Sequence, residues 1–247
     1  MNRVRDYYAE NPLMVSSPFG GVDGLNHGLV DEVFGRLGIN VAARRVLDVG
    51  CGRGFMAEYV RGHGGAYIGV DFVASRHEAP LALADAAALP FTDASFDAVF
   101  CVDAFEHFPD DRAAAAEFRR VLAPGGFVFL SVPNYANVAG VVKKLCEATG
   151  RYARNTWAPF RHWQAQELER FTTAASVRRA FGEAGFTRFT RVAHGPEVGL
   201  GLCPWIEHRA MPEAVKFRLQ RLFVTIGPAI ARAWPGASLH GFWKIEV

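Results

Sequence analysis

The stretch Val46–Phe55, VLDVGCGRGF, constrains this 247-residue chain more than any other part of it. It reads as a short apolar strand ending in a carboxylate, Asp48, followed by a glycine-spaced turn and the start of an amphipathic segment. Glycines at alternate positions (Gly50, Gly52, Gly54) admit backbone conformations closed to other residues, so a ligand can approach the main chain without meeting a Cβ. A strand that feeds such a turn into a helix start builds a nucleotide or nucleoside site at the carboxyl edge of a parallel sheet. Here the acid precedes the glycines and the spacing is G-x-G-x-G, not the dinucleotide spacing G-x-G-x-x-G. That points away from a pyrophosphate and towards a ligand whose sugar and amino-acid portions lie over the turn.

The spacing of the remaining elements predicts one α/β domain over residues 1–247. A helix over Leu25–Leu37 ends at Gly38, and the strand at 45–49 is followed by a helix near 55–62. A second strand, Ala66–Val70, ends at Asp71, about 20 residues beyond the glycine turn, where a ribose hydroxyl would be gripped. Leu81–Ala84 leads to Asp85, Asp97–Val102 suits a buried parallel strand, and Asp110-Asp111 opens a helix reaching Leu122. Pro124-Gly125-Gly126 should turn that helix into the strand Phe127–Val132. Beyond Pro133 the alternation lapses into an aromatic and basic segment with Lys143, Lys144, Arg151, Arg154 and Arg161. A helix over Thr173–Ala184, a strand over Phe186–Val192 and a final strand over Leu239–Val247 complete the pattern. Between the last two lies an irregular stretch whose Val215, Leu219, Leu222 and Ile226 form an apolar stripe cut off by Gly227-Pro228. The expected architecture is therefore a Rossmann-like, doubly wound, mostly parallel seven-stranded sheet with helices on both faces. It divides into an N-terminal cap and helix (1–40), a nucleoside-binding core (41–133) and two lid-like, substrate-side insertions (134–165 and 195–237).

Charge separates the two halves. Residues 1–132 carry 11 Lys/Arg against 17 Asp/Glu, and residues 133–247 carry 16 against 8, while the whole chain has a net charge of only +2. A basic second half suits an anionic partner or a membrane surface. The start Met1–Asp6 has no apolar run of the signal-peptide kind, and no stretch reaches the ~18 apolar residues of a transmembrane helix. The four cysteines form no C-x-x-C pair, so the expectation is a reduced, cytoplasmic protein without structural zinc.

Together these landmarks resemble the class I S-adenosylmethionine-dependent methyltransferases over about residues 40–195 plus the last strand. The motifs that carry the resemblance are VLDVGCGRGF at 46–55, Gly69-Val70-Asp71 and Asp85-Ala86 before Leu89-Pro90-Phe91. They continue with Asp93–Asp97, Glu106-His107, Pro124-Gly125-Gly126 and Ala184-Gly185-Phe186. The branch it looks most like methylates small molecules, including ubiquinone/menaquinone-type and natural-product methyltransferases. The resemblance implies S-adenosylmethionine as cofactor, with Asp48 and the backbone of Gly50, Cys51 and Gly52 around its methionine portion. It further implies that Asp71 takes the ribose hydroxyls, Phe72 lies against the adenine, and Asp85 with the Ala86 N–H reads the ring edge. Val102 or Asp103 would sit beside the sulfonium.

Because the donor already carries a positive sulfonium, alignment for in-line attack is the main requirement, and a general base helps when the acceptor is a hydroxyl. The candidates are His107, just past the fourth strand, and His162, between Arg161 and Trp163. Each has a plainer reading, His107 as a helix cap or a residue packed under the cofactor and His162 as lid or surface packing. Metal-assisted transfer would need clustered acids near the acceptor, and no such cluster stands out. The expected reaction is O-methylation of an aromatic, lipid-like or anionic small molecule, with transient membrane-surface contact by the 215–226 stripe kept open. Two alternatives remain, an RNA methyltransferase and a non-catalytic protein that binds the same cofactor. Nucleic acid is disfavoured because Asp103-Ala104-Phe105-Glu106 stands where amino-directed enzymes resembling this fold carry Asn/Asp-Pro-Pro-aromatic. Oligomeric state is not written in the sequence.

Overall fold

A carboxylate and a glycine face each other across the first two strands of the sheet, and the ligand edge of the molecule is built outward from that pair. The computed structural model describes residues 19–21, 24–73, 81–151, 167–208 and 210–247. The lead-in at 1–18 and the segment 152–166, with Arg154, Arg161 and His162, lie outside the described residues.

Helix α1, His27–Leu37, begins where the Asn26 side chain accepts a hydrogen bond from the Leu29 N–H, and ends at Gly38 in the left-handed conformation (φ 62°). Then follow β1 (Arg45–Val49), α2 (Met56–Gly62), β2 (Ala66–Asp71), β3 (Leu81–Leu83) and β4 (Phe96–Val102). After these come α3 (Asp111–Val121), β5 (Leu122–Pro133), α4 (Val138–Ala148), α5 (Ala174–Glu183) and β6 (Arg188–Val192). The chain closes with α6 (Val198–Leu202), α7 (Glu213–Ala233) and β7 (His240–Glu246). Seven strands form one sheet in the order β3-β2-β1-β4-β5-β7-β6. The pairs among the first five strands are parallel, with Asp48 of β1 opposite both Gly69 of β2 and Phe100 of β4. Strand order reverses between β1 and β4, so the crevice at their carboxyl ends is the place where a doubly wound sheet takes a ligand.

Two compact units share the chain: Met1–Ser131 with Arg178–Thr190 and Trp243–Val247, and Val132–Val177 with Arg191–Phe242. In the first, α1 is seated by an aromatic cluster in which Phe34, Phe100 and Phe129 meet edge to face with centroids 4.9–5.6 Å apart. Such pairs add roughly 0.5–1.5 kcal/mol each beyond the area they bury. Asp110 caps α3 by accepting from the Ala113 N–H. Arg120 in its last turn gathers the Glu117 and Asp93 carboxylates with the Leu89 and Phe91 carbonyls, which pins the loop after β3.

Two local expectations are corrected. Pro124-Gly125-Gly126 does not separate a helix from a strand: β5 already begins at Leu122, opposite Phe96, and the glycines form an irregularity before Phe127 pairs with Ala98. Likewise Gly227-Pro228 does not end a helix at Ile226, because α7 runs for 21 residues with Pro228 inside it. The reason lies in packing within the second unit. A Cβ on Gly227 would stand 2.2 Å from the Gly195 carbonyl oxygen, so the glycine lets the helix touch that backbone directly. Loss of one helical hydrogen bond at Pro228 is offset by this contact and by the buried set Ala193, Val198, Ala231 and Ala237, against which Phe223 and Ile230 lie. The stripe read from sequence is also not the buried one. Lys216, Gly227 and Ala231 face inward, whereas Val215, Leu222 and Ile226 are exposed. The segment after Pro133 is partly helical too. Asn137 caps α4 through the Gly140 N–H, and the Asn134 and Asn137 amides donate to the Gly236 and Ser238 carbonyls.

Substituting Gly227→Ala should destabilise the protein by about 1–3 kcal/mol, since backbone and not a flexible side chain fills the space the new methyl needs. Urea unfolding followed by circular dichroism measures it, and an unchanged midpoint would contradict the close approach.

Candidate active site

Beyond the exposed Arg45 at its start, strand β1 is apolar except at Asp48, which is only 2% exposed. One of its oxygens, Oδ2, accepts a 2.7 Å hydrogen bond from the Tyr67 hydroxyl. The other, Oδ1, is buried and has no hydrogen-bond partner among the described residues. Burial pushes the Asp48 carboxyl up to about 7; the Tyr67 hydrogen bond opposes that shift and the nearby Asp71 charge adds to it. Opposite Asp48 the space is crowded. A Cβ on Gly69 would lie 2.7 Å from the Cys51 sulfur and 3.4 Å from the Tyr67 hydroxyl, so this strand position must stay bare for the Cys51 side chain to keep its place.

The turn follows at once. Gly50, Gly52 and Gly54 all take positive φ (72°, 52° and 77°), the region that favours glycine. The N–H groups of Gly50 and Cys51 both donate to the Val70 carbonyl, at 2.8 and 3.1 Å, and the Gly52 N–H donates to Asp71 Oδ2 at 2.9 Å. All three amides are thus engaged inside the protein. A phosphate-binding turn aims such amides at its ligand; here they close onto the Val70 carbonyl and the Asp71 carboxylate instead. Burial raises the Cys51 thiol well out of the thiolate range, so it acts as packing and not as a nucleophile.

Asp71 ends β2 and, besides Gly52, accepts from the Val73 N–H through Oδ1. Phe72, half-buried, is next in the chain. Asp85 holds the Ala87 N–H at 2.9 Å in a tight turn, and Ala86 beside it is buried. At the end of β4, Val102 is half-buried and Asp103 sits in the left-handed region at φ 49°. A two-point clamp maintains that strained backbone: the Asp103 N–H donates to the Ser131 carbonyl at 2.9 Å, and the Ser131 hydroxyl donates to Asp103 Oδ1 at 2.6 Å. Its second oxygen, Oδ2, is buried with no hydrogen-bond partner among the described residues. His107 follows in a short 3₁₀ turn, Phe105–His107, with Nε2 3.7 Å from the Oε1 of buried Glu106.

The first unit therefore places Asp48, Gly50, Cys51, Gly52, Asp71, Asp85, Ala86, Val102, Asp103 and His107 on the carboxyl-side ends of β1 to β4 and the turns that follow them. His162 lies outside the described residues. Two supporting residues were not foreseen, Tyr67 and Ser131. Both sit in strands where the sequence shows only a tyrosine and a serine among apolar neighbours, and each acts on a carboxylate of another segment. For Tyr67 there was one usable signal: it is two residues before Gly69, on the same face of β2.

Residues 47–130 match the family model for a methyltransferase domain. This segment is a class I methyltransferase domain of the S-adenosylmethionine-dependent kind. The chain is 37% identical over 110 residues to the ubiquinone biosynthesis O-methyltransferase of Thiobacillus denitrificans, a match covering 38% of this chain and 46% of that protein. To the Pseudomonas aeruginosa protein of the same name it is 31% identical over 134 residues, covering 47% of this chain and 54% of the other. It thus spans about half the length of the curated relatives it matches. A SAM-dependent methyltransferase from Archaeoglobus fulgidus superposes with a TM-score of 0.56 at 17% identity, over 93% of this chain and 96% of that one, a likeness of fold. S-adenosylmethionine, the methyl donor of this family, carries a sulfonium and an ammonium. Buried carboxylate oxygens without partners at Asp48 and Asp103 fit such a cationic ligand.

Asp48 also makes stability depend on pH. Its folded value near 7 lies above the ordinary 3.8, so the folded apo-protein holds the proton more tightly than the unfolded chain does. The resulting stabilisation is complete below pH ~4 and is lost as pH rises through ~7. Urea midpoints should therefore fall between pH 5 and pH 8 in the wild type and fall less in Asp48→Asn, a difference of roughly a few kcal/mol. Equal pH dependence in both proteins would contradict it. Gly69→Ala should weaken binding of S-adenosylhomocysteine at least about tenfold by displacing the Cys51 side chain and the turn it belongs to, an effect of about 1.4 kcal/mol or more. Calorimetry reads it directly.

Proposed function

We propose that this protein transfers a methyl group from S-adenosylmethionine to a hydroxyl of a small, aromatic, lipid-like or anionic acceptor. The observation that carries the proposal is the set of partly unsatisfied carboxylates, Asp48 and Asp103, flanking a turn whose own amides are already engaged. In this reading Asp48 and the turn residues Gly50, Cys51 and Gly52 hold the amino-acid end of the cofactor. Asp71 takes the ribose hydroxyls, Phe72 lies against the base, and Asp85 with the Ala86 N–H reads its edge. Asp103 and Val102 flank the sulfonium. When bound, the cofactor supplies an activated methyl group; the chain's own task is to align the acceptor and receive its proton. His107 is the group for that second task, at the carboxyl edge beyond β4, with its Nε2 3.7 Å from the Oε1 of buried Glu106. The curated relatives, named as ubiquinone biosynthesis O-methyltransferases, support a hydroxyl acceptor.

A lipid-like acceptor draws support from the second unit. Helix α7 exposes Val215, Phe217, Leu222, Val224 and Ile226 together with Arg218 and Arg221. No helix among the described residues is long and apolar enough to cross a membrane, so contact would be at the surface. Flotation with vesicles containing anionic phospholipid tests this; protein remaining at the bottom of the gradient removes the membrane part of the reading.

Asp71→Ala should weaken S-adenosylhomocysteine binding by an order of magnitude or more, as hydrogen bonds to a charged group contribute roughly 1.5–3 kcal/mol. An unchanged dissociation constant would remove Asp71 from the site. His107→Ala should lower turnover by about 10²-fold or more while leaving cofactor affinity within about twofold. Unaltered turnover on a hydroxyl acceptor would place the base elsewhere.

A further inference from the structure

We propose that Tyr67 is a positioning residue of the cofactor site, which fixes the Asp48 carboxyl plane, presents Oδ1 to the ligand and favours the charged form of the group. The inference rests on the proposed function and names a residue that reading does not use.

The geometry is specific. Tyr67 and Gly69 share one face of β2, and Gly69 stands opposite Asp48 in the parallel register. The Tyr67 hydroxyl passes 3.4 Å from where a Cβ on Gly69 would stand and reaches Asp48 Oδ2 at 2.7 Å. The ring is itself buried, at 4% exposure, so neither partner of this bond exchanges it for water. Fixing Oδ2 fixes the plane of the carboxyl group and leaves Oδ1 as the only acceptor atom of Asp48 with no hydrogen-bond partner among the described residues.

A phenol can do this only while it keeps its proton. Burial, and then the adjacent Asp48 charge, push the Tyr67 ionisation far above its ordinary range, so it keeps its proton and donates to Asp48. Around the pair, Asp71 at the end of β2 raises the Asp48 proton affinity. Asp48 in turn raises the thiols of Cys51 in the turn and Cys101 in β4, and Arg61 of α2 acts on Tyr67. Tyr67 is thus the hydrogen-bond donor that favours the charged form of Asp48 in the ligand-free protein. A cationic ligand needs that charged form.

Tyr67→Phe keeps the ring and removes the donor. S-adenosylhomocysteine binding is measured by calorimetry from pH 6 to 9 in the wild type, Tyr67→Phe and Asp48→Asn, with circular dichroism to verify folding. In the wild type, affinity should rise with pH through about 7, where Asp48 loses its proton. In Tyr67→Phe the rise should move upward by about one pH unit, with affinity about five- to tenfold weaker at pH 7.5 and recovering towards the wild-type value by pH 9. Asp48→Asn should show no such rise, which separates it from titration of the ligand's own amine. Uniform weakening of Tyr67→Phe at every pH would overturn the inference, because that is what simple loss of packing produces. An Asp48→Asn profile still rising near pH 7 would overturn it too, and this holds even where Tyr67→Phe fails to fold. Wild-type protein that binds no S-adenosylhomocysteine at any pH would instead remove the proposed function and the inference with it.

Discussion

An aspartate carboxylate enclosed by parallel strands, one oxygen satisfied and the other not, is the constraint on which the ligand edge of this molecule depends. Moving a carboxylate out of water costs several kcal/mol unless a proton or a countercharge compensates. Burial of Asp48, with the like charge of Asp71 nearby, outweighs the Tyr67 hydroxyl on one oxygen, so the ligand-free fold holds its proton to about pH 7. That arrangement stores a preference for a cation. A ligand that brings positive charge to Oδ1 replaces the proton and stabilises the fold in proportion to the logarithm of its concentration over its dissociation constant. The stability of the protein and its affinity for a cationic ligand are therefore two readings of one local imbalance.

The turn after β1 makes sense in the same terms. Glycine-rich turns at strand ends often serve anions, because their amides point outward. In this chain the amides of Gly50 and Cys51 close onto Val70, and that of Gly52 closes onto Asp71. The positive φ angles let the chain fold back on β2 and leave the carboxylates in command of the local field. Asp103 adds to it from β4, its left-handed backbone held by Ser131 through both main chain and side chain. Strained backbone of this kind persists where the surroundings over-determine it, commonly at functional sites.

The second unit follows a different logic. Its helices meet through small residues: Gly227 against the Gly195 backbone, Gly199 against the Phe223 ring, Gly201 against the Ala237 carbonyl. Close backbone approach at Gly227 and Ala231 fixes which side of α7 is inward, with Lys216 buried and Phe223 and Ile230 against the cluster, while Val215, Leu222 and Ile226 remain outside. Bulky aliphatic residues at helical spacing ordinarily mark the core face; here the small residues set that face and the Val215, Leu222 and Ile226 positions fall away from it. The same closeness explains why Gly227-Pro228, a strong breaker by local rules, lies inside a continuous helix.

By itself the sequence determined the order and kind of the elements from α1 to β5, the glycine turn, and the acids at positions 48, 71, 85 and 103. These are local properties: runs of apolar residues, caps such as Asn26 and Asp110, and the spacing of acids after strands are all written in consecutive residues. Tertiary structure alone decided that Tyr67 reaches Asp48, that Ser131 clamps Asp103, and which face of α7 is buried. Each of those contacts joins residues that are neighbours only through strand register or helix packing. A carboxylate's protonation and orientation depend on such neighbours, because in a low-dielectric interior a single donor or charge a few ångströms away outweighs anything the residue's own segment provides.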